Sequence, residues 1–167
     1  GGNHQGVALL ANEYNYYDLG QLLEEANKAG ENPLLIILDE ITDPHNLGAI
    51  IRTAEAAGAD GIIIPKRRSA LVNSTVHKTS AGATSHMKVA KVTNISQTID
   101  KLKESGYWVY GADGDKLSVK YTDIDYQGPV ALVIGNEGKG ISKMIKKSCD
   151  HLIKIPMYGN TESLNAS

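Results

Sequence analysis

From Pro33 onward, short continuous apolar runs alternate with segments of helical periodicity, and this alternation restricts the possible folds more than any other feature. Leu34-Leu35-Ile36-Ile37-Leu38 is apolar throughout, the pattern of a strand buried on both faces. Behind Asn46, the residues Leu47, Ile50, Ile51, Ala54 and Ala57 recur at helical spacing, and Gly58 stops them. Gly61 to Pro65 is a second strand, Val76 to Ala83 a short helix and Met87 to Val92 a third strand. Ile95, Ile99 and Leu102 mark a helix with Lys101, Lys103 and Glu104 turned outward, ended by Gly106. Tyr107 to Tyr110 and Val130 to Ile134 are further strands, Ile141 to Lys147 a helix, and His151 to Ile155 the last strand. Strands alternating with helices imply right-handed crossovers and an α/β fold, a mostly parallel sheet flanked by helices.

The first thirty residues fit this scheme poorly. They hold Tyr14, Tyr16 and Tyr17, then a helical stripe of Leu19, Leu22, Leu23 and Ala26 before Gly30. Residues 1–30 are expected to be a linker and lead-in helix, and 31–167 the main domain. With 167 residues, one domain is the natural expectation. There is no Phe and only one Trp, so the core must be built from Ile, Leu, Val and Ala. No apolar run reaches the roughly 18 residues of a membrane span. No secretory signal opens the chain, and the single Cys149 excludes an internal disulfide and suits a reducing cytoplasm. The net charge of −2 gives no global attraction to nucleic acid, so any such role must rest on local patches. Opening at Gly1-Gly2 without Met and stopping at Ser167 after a loop-like stretch, the sequence is expected to be a fragment.

Ligands of open parallel sheets bind beyond the carboxyl ends of the strands. Three loops at such positions are rich in Gly, Asn, Glu and Ser. In the first, Asn46 stands where an N-cap is expected, and as a cap it is worth about 1 kcal/mol. Arg52 interrupts an Ala/Ile-rich helix; it either lies on a solvated face or awaits a carboxylate or phosphate. His45 is a candidate base or simply a loop histidine. In the second, Gly135-Asn136-Glu137-Gly138-Lys139-Gly140, the glycines permit close backbone approach to a ligand. The spacing matches neither a P-loop nor the dinucleotide fingerprint. Glu137 is placed to hold a ribose hydroxyl or to pair with Arg52. In the third, Ile155 to Ser167, backbone amides are suited to an adenine edge with Ser163 and Asn165 facing a substrate; a helix start is the plain alternative.

The five histidines share no ligand spacing with each other or with Cys149, so no metal site is expected. A G-x-S-x-G nucleophile elbow is also missing. Lys66-Arg67-Arg68 and Lys139, Lys143, Lys146 and Lys147 border the loops; such clusters are ordinarily solvated, but beside a crevice they favour phosphate.

Taken together, Asn46-Leu47-Gly48-Ala49-Ile50-Ile51-Arg52, Ile134 to Ser142, and Ile155-Pro156-Met157 through Ser163-Leu164-Asn165 resemble the three ordered motifs of the SpoU/TrmH RNA ribose 2′-O-methyltransferases. Ser74 to Ala83 is also similar to a family stretch. The opening His4-Gln5-Gly6-Val7-Ala8 resembles the end of the small RNA-binding domain of the rRNA-modifying branch, which points to a guanosine of 23S rRNA over tRNA. The resemblance implies a SPOUT fold with a carboxyl-terminal trefoil knot, a homodimer, RNA as partner, S-adenosylmethionine as cofactor and no membrane. It implies cofactor binding at Gly135, Ile155 and Leu164, and catalytic roles for Asn46, Arg52, Glu137, Ser163 and Asn165. Family members continue past Asn165 with a helix that completes the knot, so in this chain the knot is expected to be incomplete. A non-catalytic RNA-binding module and a nucleotide- or flavin-binding enzyme are the rival expectations.

Overall fold

The computed structural model describes residues 14–112, 119–120, 127–136 and 138–154. Within them lie seven strands: β1 (Leu34–Asp39), β2 (Gly61–Pro65), β3 (Val89–Val92), β4 (Trp108–Ala112), β5 (Val119–Lys120), β6 (Val130–Gly135) and β7 (His151–Lys154). They form one sheet in the order β3-β2-β1-β6-β4-β7-β5, and every ladder is parallel. The helices are α1 (Leu19–Ala29), α2 (Pro44–Ala56), α3 (Ser74–Thr79), α4 (Ile95–Glu104) and α5 (Lys143–Ser148), with a 3₁₀ turn at Ala83–Ser85. The α/β architecture read from the alternation is therefore the architecture observed.

Both faces of the sheet are covered, which explains the continuous apolar runs. Along β1, Leu35 and Ile37 enter a cluster with Leu22 and Ala26 of α1, Ile95, Ile99 and Leu102 of α4, and Ile145 of α5. Ile36 and Leu38 point the other way, toward Leu47, Ile51 and Ala54 of α2 and Val76 of α3. A third, smaller cluster of Tyr110, Val130 and Ile153 with half-buried Leu34 and Leu132 lies over β6, β4 and β7.

The segment before Pro33 is tied into the same core. Asp18 and Gln21 form a reciprocal capping box that starts α1. Tyr17 bridges Ala90 of the edge strand β3, and its amide donates to the Val89 carbonyl at 2.9 Å. The Tyr14 hydroxyl donates to the Met87 carbonyl and accepts from the Val89 amide; Tyr16 accepts from the Val72 amide. Leu22 is fully buried, and Gly61 is required beneath it, because a Cβ there would come within 2.5 Å of the Leu22 side chain.

Three boundaries depart from expectation for local reasons. α2 begins at Pro44, not after Asn46: Asp43 is the N-cap, its carboxylate accepting from the His45 amide at 2.8 Å. Proline suits the first helical position because it has no N–H to leave unsatisfied, so the Asp-Pro pair claims the start. Asn46 thus sits in the first turn. α3 spans Ser74–Thr79, capped by Asn73, and ends early because Ala81 and Gly82 take left-handed φ angles of 56° and 84°. α5 starts at Lys143, where Ser142 caps it.

Truncating Leu22 removes a fully buried side chain beside a glycine that cannot fill the gap. Leu22→Ala is expected to lower unfolding free energy by about 3 kcal/mol, read from denaturant midpoints; a loss under about 1 kcal/mol would mean that α1 is only loosely attached.

Candidate active site at the carboxyl edge of the sheet

β1 and β6 are neighbours in the sheet although nearly a hundred residues separate them, and the direction of chain progression reverses between them. Their register pairs Leu34 with Val130 and ends with Asp39 opposite Gly135. The first two motif-bearing loops therefore leave the sheet side by side, at the switch point where parallel sheets take ligands.

The loop after β6 is closed on itself. Asn136 Oδ1 accepts from the amides of Gly138 and Lys139 at 2.8 and 3.1 Å, and the Gly140 amide returns to the Asn136 carbonyl at 2.7 Å. Gly140 has φ 71°. A Cβ on Gly135 would come within 2.6 Å of the Ile141 amide nitrogen and closer still to the Gly140 carbonyl. Only glycine fits at Gly135, and what the strand end presents is backbone.

Asp39 and Glu40 join this loop to β1. Asp39 is 7% exposed, and its Oδ2 accepts from the Ser142 amide at 3.1 Å. Burial raises its carboxyl above the usual range, while the Ser142 hydrogen bond offsets part of that rise and neighbouring Glu40 adds to it. Glu40 has φ 59°; its carbonyl accepts from Asn136 Nδ2 at 3.0 Å, and its carboxylate pairs with Arg68 at 3.3 Å. A cavity of about 250 Å³ lies beside them, lined by Asp39, Glu40, Arg67, Arg68, Asn94 and Ser142 among others. The Arg67-Arg68 part of the basic cluster thus borders the same edge.

α2, which starts a few residues beyond the end of β1, carries the remaining described candidates. Asn46 is half-buried in the first turn. Arg52 is six residues further, roughly 9 Å along the axis and about 120° around it. It is exposed on the stripe it shares with His45, Ala49 and Ala56, and its guanidinium has no hydrogen-bond or ion-pair partner among the described residues. The solvated-face expectation for Arg52 therefore describes its position in this chain. His45 Nδ1 lies 3.4 Å from Thr79 Oγ1, linking α2 to α3, and this suits a structural role better than that of a base. Gly48 makes that packing possible, since a Cβ there would meet the Thr79 Cβ at 2.5 Å.

Of the expected site residues, Asn46, Arg52 and Gly135 are described. Glu137, Ile155, Ser163, Leu164 and Asn165 lie outside the described residues. Asp39, Glu40 and Asn136 were not singled out from sequence as a connected set. A buried run ending in two carboxylates was the available signal, because an acid at the end of a buried strand needs a partner. Among the described residues no group of His, Cys, Asp and Glu is placed to hold a metal ion, and no helix is long and apolar enough to cross a membrane.

The family model for the SpoU rRNA methylase family matches residues 33–167. The chain belongs to that family. It is 52% identical over 165 residues to an uncharacterized tRNA/rRNA methyltransferase of Synechocystis, covering 99% of this chain and 43% of that protein. It is 49% identical to YacO of Bacillus subtilis, assigned to the TrmH family of tRNA/rRNA methyltransferases, covering 99% of this chain and 66% of YacO. Among solved structures, an S-adenosylmethionine-bound rRNA methyltransferase from Sinorhizobium meliloti superposes with a TM-score of 0.73 at 31% identity, covering 86% of this chain and 53% of that one. The chain therefore spans between about two-fifths and two-thirds of these proteins' lengths.

Two substitutions probe this edge. Gly135→Ala is expected to cost 2 kcal/mol or more, at roughly the top of the range for overpacking, because backbone and not a flexible side chain blocks the methyl. Glu40→Gly is expected to be neutral or to stabilise by up to about 1 kcal/mol, since relief of a left-handed φ outweighs an exposed ion pair. Thermal unfolding of both variants checks the contrast.

Proposed function

We propose that this chain is the catalytic domain of an RNA ribose 2′-O-methyltransferase using S-adenosylmethionine, with a guanosine of 23S rRNA as substrate and a tRNA guanosine as the alternative. The observation that carries the reading is the pairing of Asp39 with Gly135, which brings the loops of the first two family motifs to one edge. The S-adenosylmethionine bound by the Sinorhizobium relative supports the cofactor. The residues fit it: a strand end that offers backbone instead of side chains suits the edge of a nucleoside, and the carboxyl groups of Asp39 and Glu40, which line the cavity beside it, would suit a cationic group.

When bound, that group supplies an already activated methyl. The protein must then align a ribose oxygen behind the methyl and dispose of one proton, and alignment alone contributes several kcal/mol. Gly135, Ile155 and Leu164 are assigned to hold the cofactor, and Glu137, Ser163 and Asn165 to orient it and the nucleotide. Arg52 binds the phosphate beside the target and polarises the 2′-hydroxyl, with Asn46 fixing the direction of approach. A guanidinium stays protonated in proteins, so Arg52 acts as a charge and not as a base. Its exposed position, without a partner among the described residues, supports contact with RNA arriving from solvent. Arg67, Arg68, Lys139 and Lys143 border the edge and suit further phosphates.

The same reading carries the division into residues 1–30 and 31–167, a SPOUT-type carboxyl-terminal trefoil knot, a homodimer and a cytoplasmic location. Trp108, 52% exposed at the start of β4 and stacked on His151, is the kind of side chain that such packing covers.

Methyl transfer to defined rRNA and tRNA fragments by the intact protein tests the proposal. Arg52→Lys is expected to retain RNA binding within a few-fold while turnover falls roughly 100-fold, the size of effect seen when one transition-state donor is lost. Unchanged turnover removes Arg52 from the mechanism, and methylation on a base instead of a ribose refutes the reaction.

A further inference from the structure

We infer that Asp39 is a positioning residue: its buried carboxylate on the Ser142 amide, with the Glu40 carbonyl on the Asn136 side chain, clamps the loop between β6 and α5 in the geometry that receives the cofactor. The inference rests on the proposed reading of this edge as an S-adenosylmethionine site, and it names what sets the loop's place.

The two bonds fall at the two ends of one loop. Asn136 opens it and Ser142 closes it, and both are held by consecutive residues of the neighbouring strand's end. Between them the loop is fastened to itself through Asn136 Oδ1 and the Gly140 amide. These bonds tie Asn136, Gly138, Lys139, Gly140 and Ser142 to one another and to the end of β1.

Both residues of the clamp hold their bonds at a local cost. Because burial raises the Asp39 carboxyl, its contribution is favourable only below its unfolded-state pKa and is lost as pH rises through the folded value. Burial therefore sets a cost against the charged form of this carboxyl, and the Ser142 hydrogen bond offsets part of it. A neutral acceptor would hold the same amide without that penalty. Next to it, Glu40 adopts a left-handed φ of 59°, a conformation that side chains disfavour. Two adjacent costs are accepted at the one place where β1 touches the loop, and costs of this kind cluster where geometry serves function.

Titration calorimetry with S-adenosylmethionine on the intact protein, combined with amide hydrogen exchange, tests the clamp. Asp39→Ala is expected to weaken binding roughly tenfold, the size expected for losing a charged hydrogen bond. The Ser142 amide should exchange at least roughly tenfold faster while amides of β1 and β6 stay protected. Asp39→Asn, which keeps an acceptor, is expected to restore both readouts. Wild-type affinity and wild-type Ser142 exchange in Asp39→Ala overturn the inference. So does a loss of affinity that accompanies faster exchange at every amide alike, which is what a purely structural residue would show. A wild-type protein that binds no S-adenosylmethionine defeats the proposed function instead, and Ser142 exchange in the variant still decides the clamp.

Discussion

The pairing of β1 with β6 is the constraint on which the rest of the structure depends. Six rungs run from Leu34 opposite Val130 to Asp39 opposite Gly135. The register cannot drift. A slip of β6 by one residue would turn Ala131 and Val133 out of the cluster that they share with Leu35 and Ile37 beneath α1, α4 and α5 and toward the opposite face of the sheet. Because both faces are packed, the hydrophobic core fixes the height at which each strand ends. The placement of two polar loops is thus decided by apolar side chains buried well below them.

Once the strand ends are level, short-range chemistry completes the edge. A parallel pair needs a long crossover, so the residues that meet here are far apart in sequence and no local signal announces their contact. Asp39 reaches Ser142, Glu40 reaches Asn136, and Gly135 gives way to the returning chain at Gly140. The glycine is needed for close approach, while the acid and the amide are needed for bonds between strands.

What was legible in the sequence follows the same division. Periodicity reports on burial, so strands buried on both faces and amphipathic helices could be read, including the helical stripe at Leu19, Leu22 and Ala26. It does not report on caps. Asn46 looked like a helix start because it precedes the apolar stripe, yet Asp43-Pro44 offered both an acceptor and a residue lacking an N–H. The two-residue strand β5 is too short to carry a period. At the site, the need for close backbone approach at the glycine ending β6 was legible. The partners of Asp39 and Asn136 were not, since a parallel sheet's neighbour order is a property of the whole fold.

The edge and α2 also differ in how far they are finished. Asp39, Glu40 and Asn136 are engaged with each other, whereas Arg52 is exposed and without a partner among the described residues. A solvated guanidinium is a weak electrostatic element, because water screens it, and it strengthens only when a binding partner displaces that water. In the proposed function, a preformed cofactor side and an arginine side completed by RNA would set up the field on the ribose only when substrate is bound. Such an arrangement would tie the chemistry to correct docking, in keeping with a tightly fastened loop and an arginine that engages none of the other described residues.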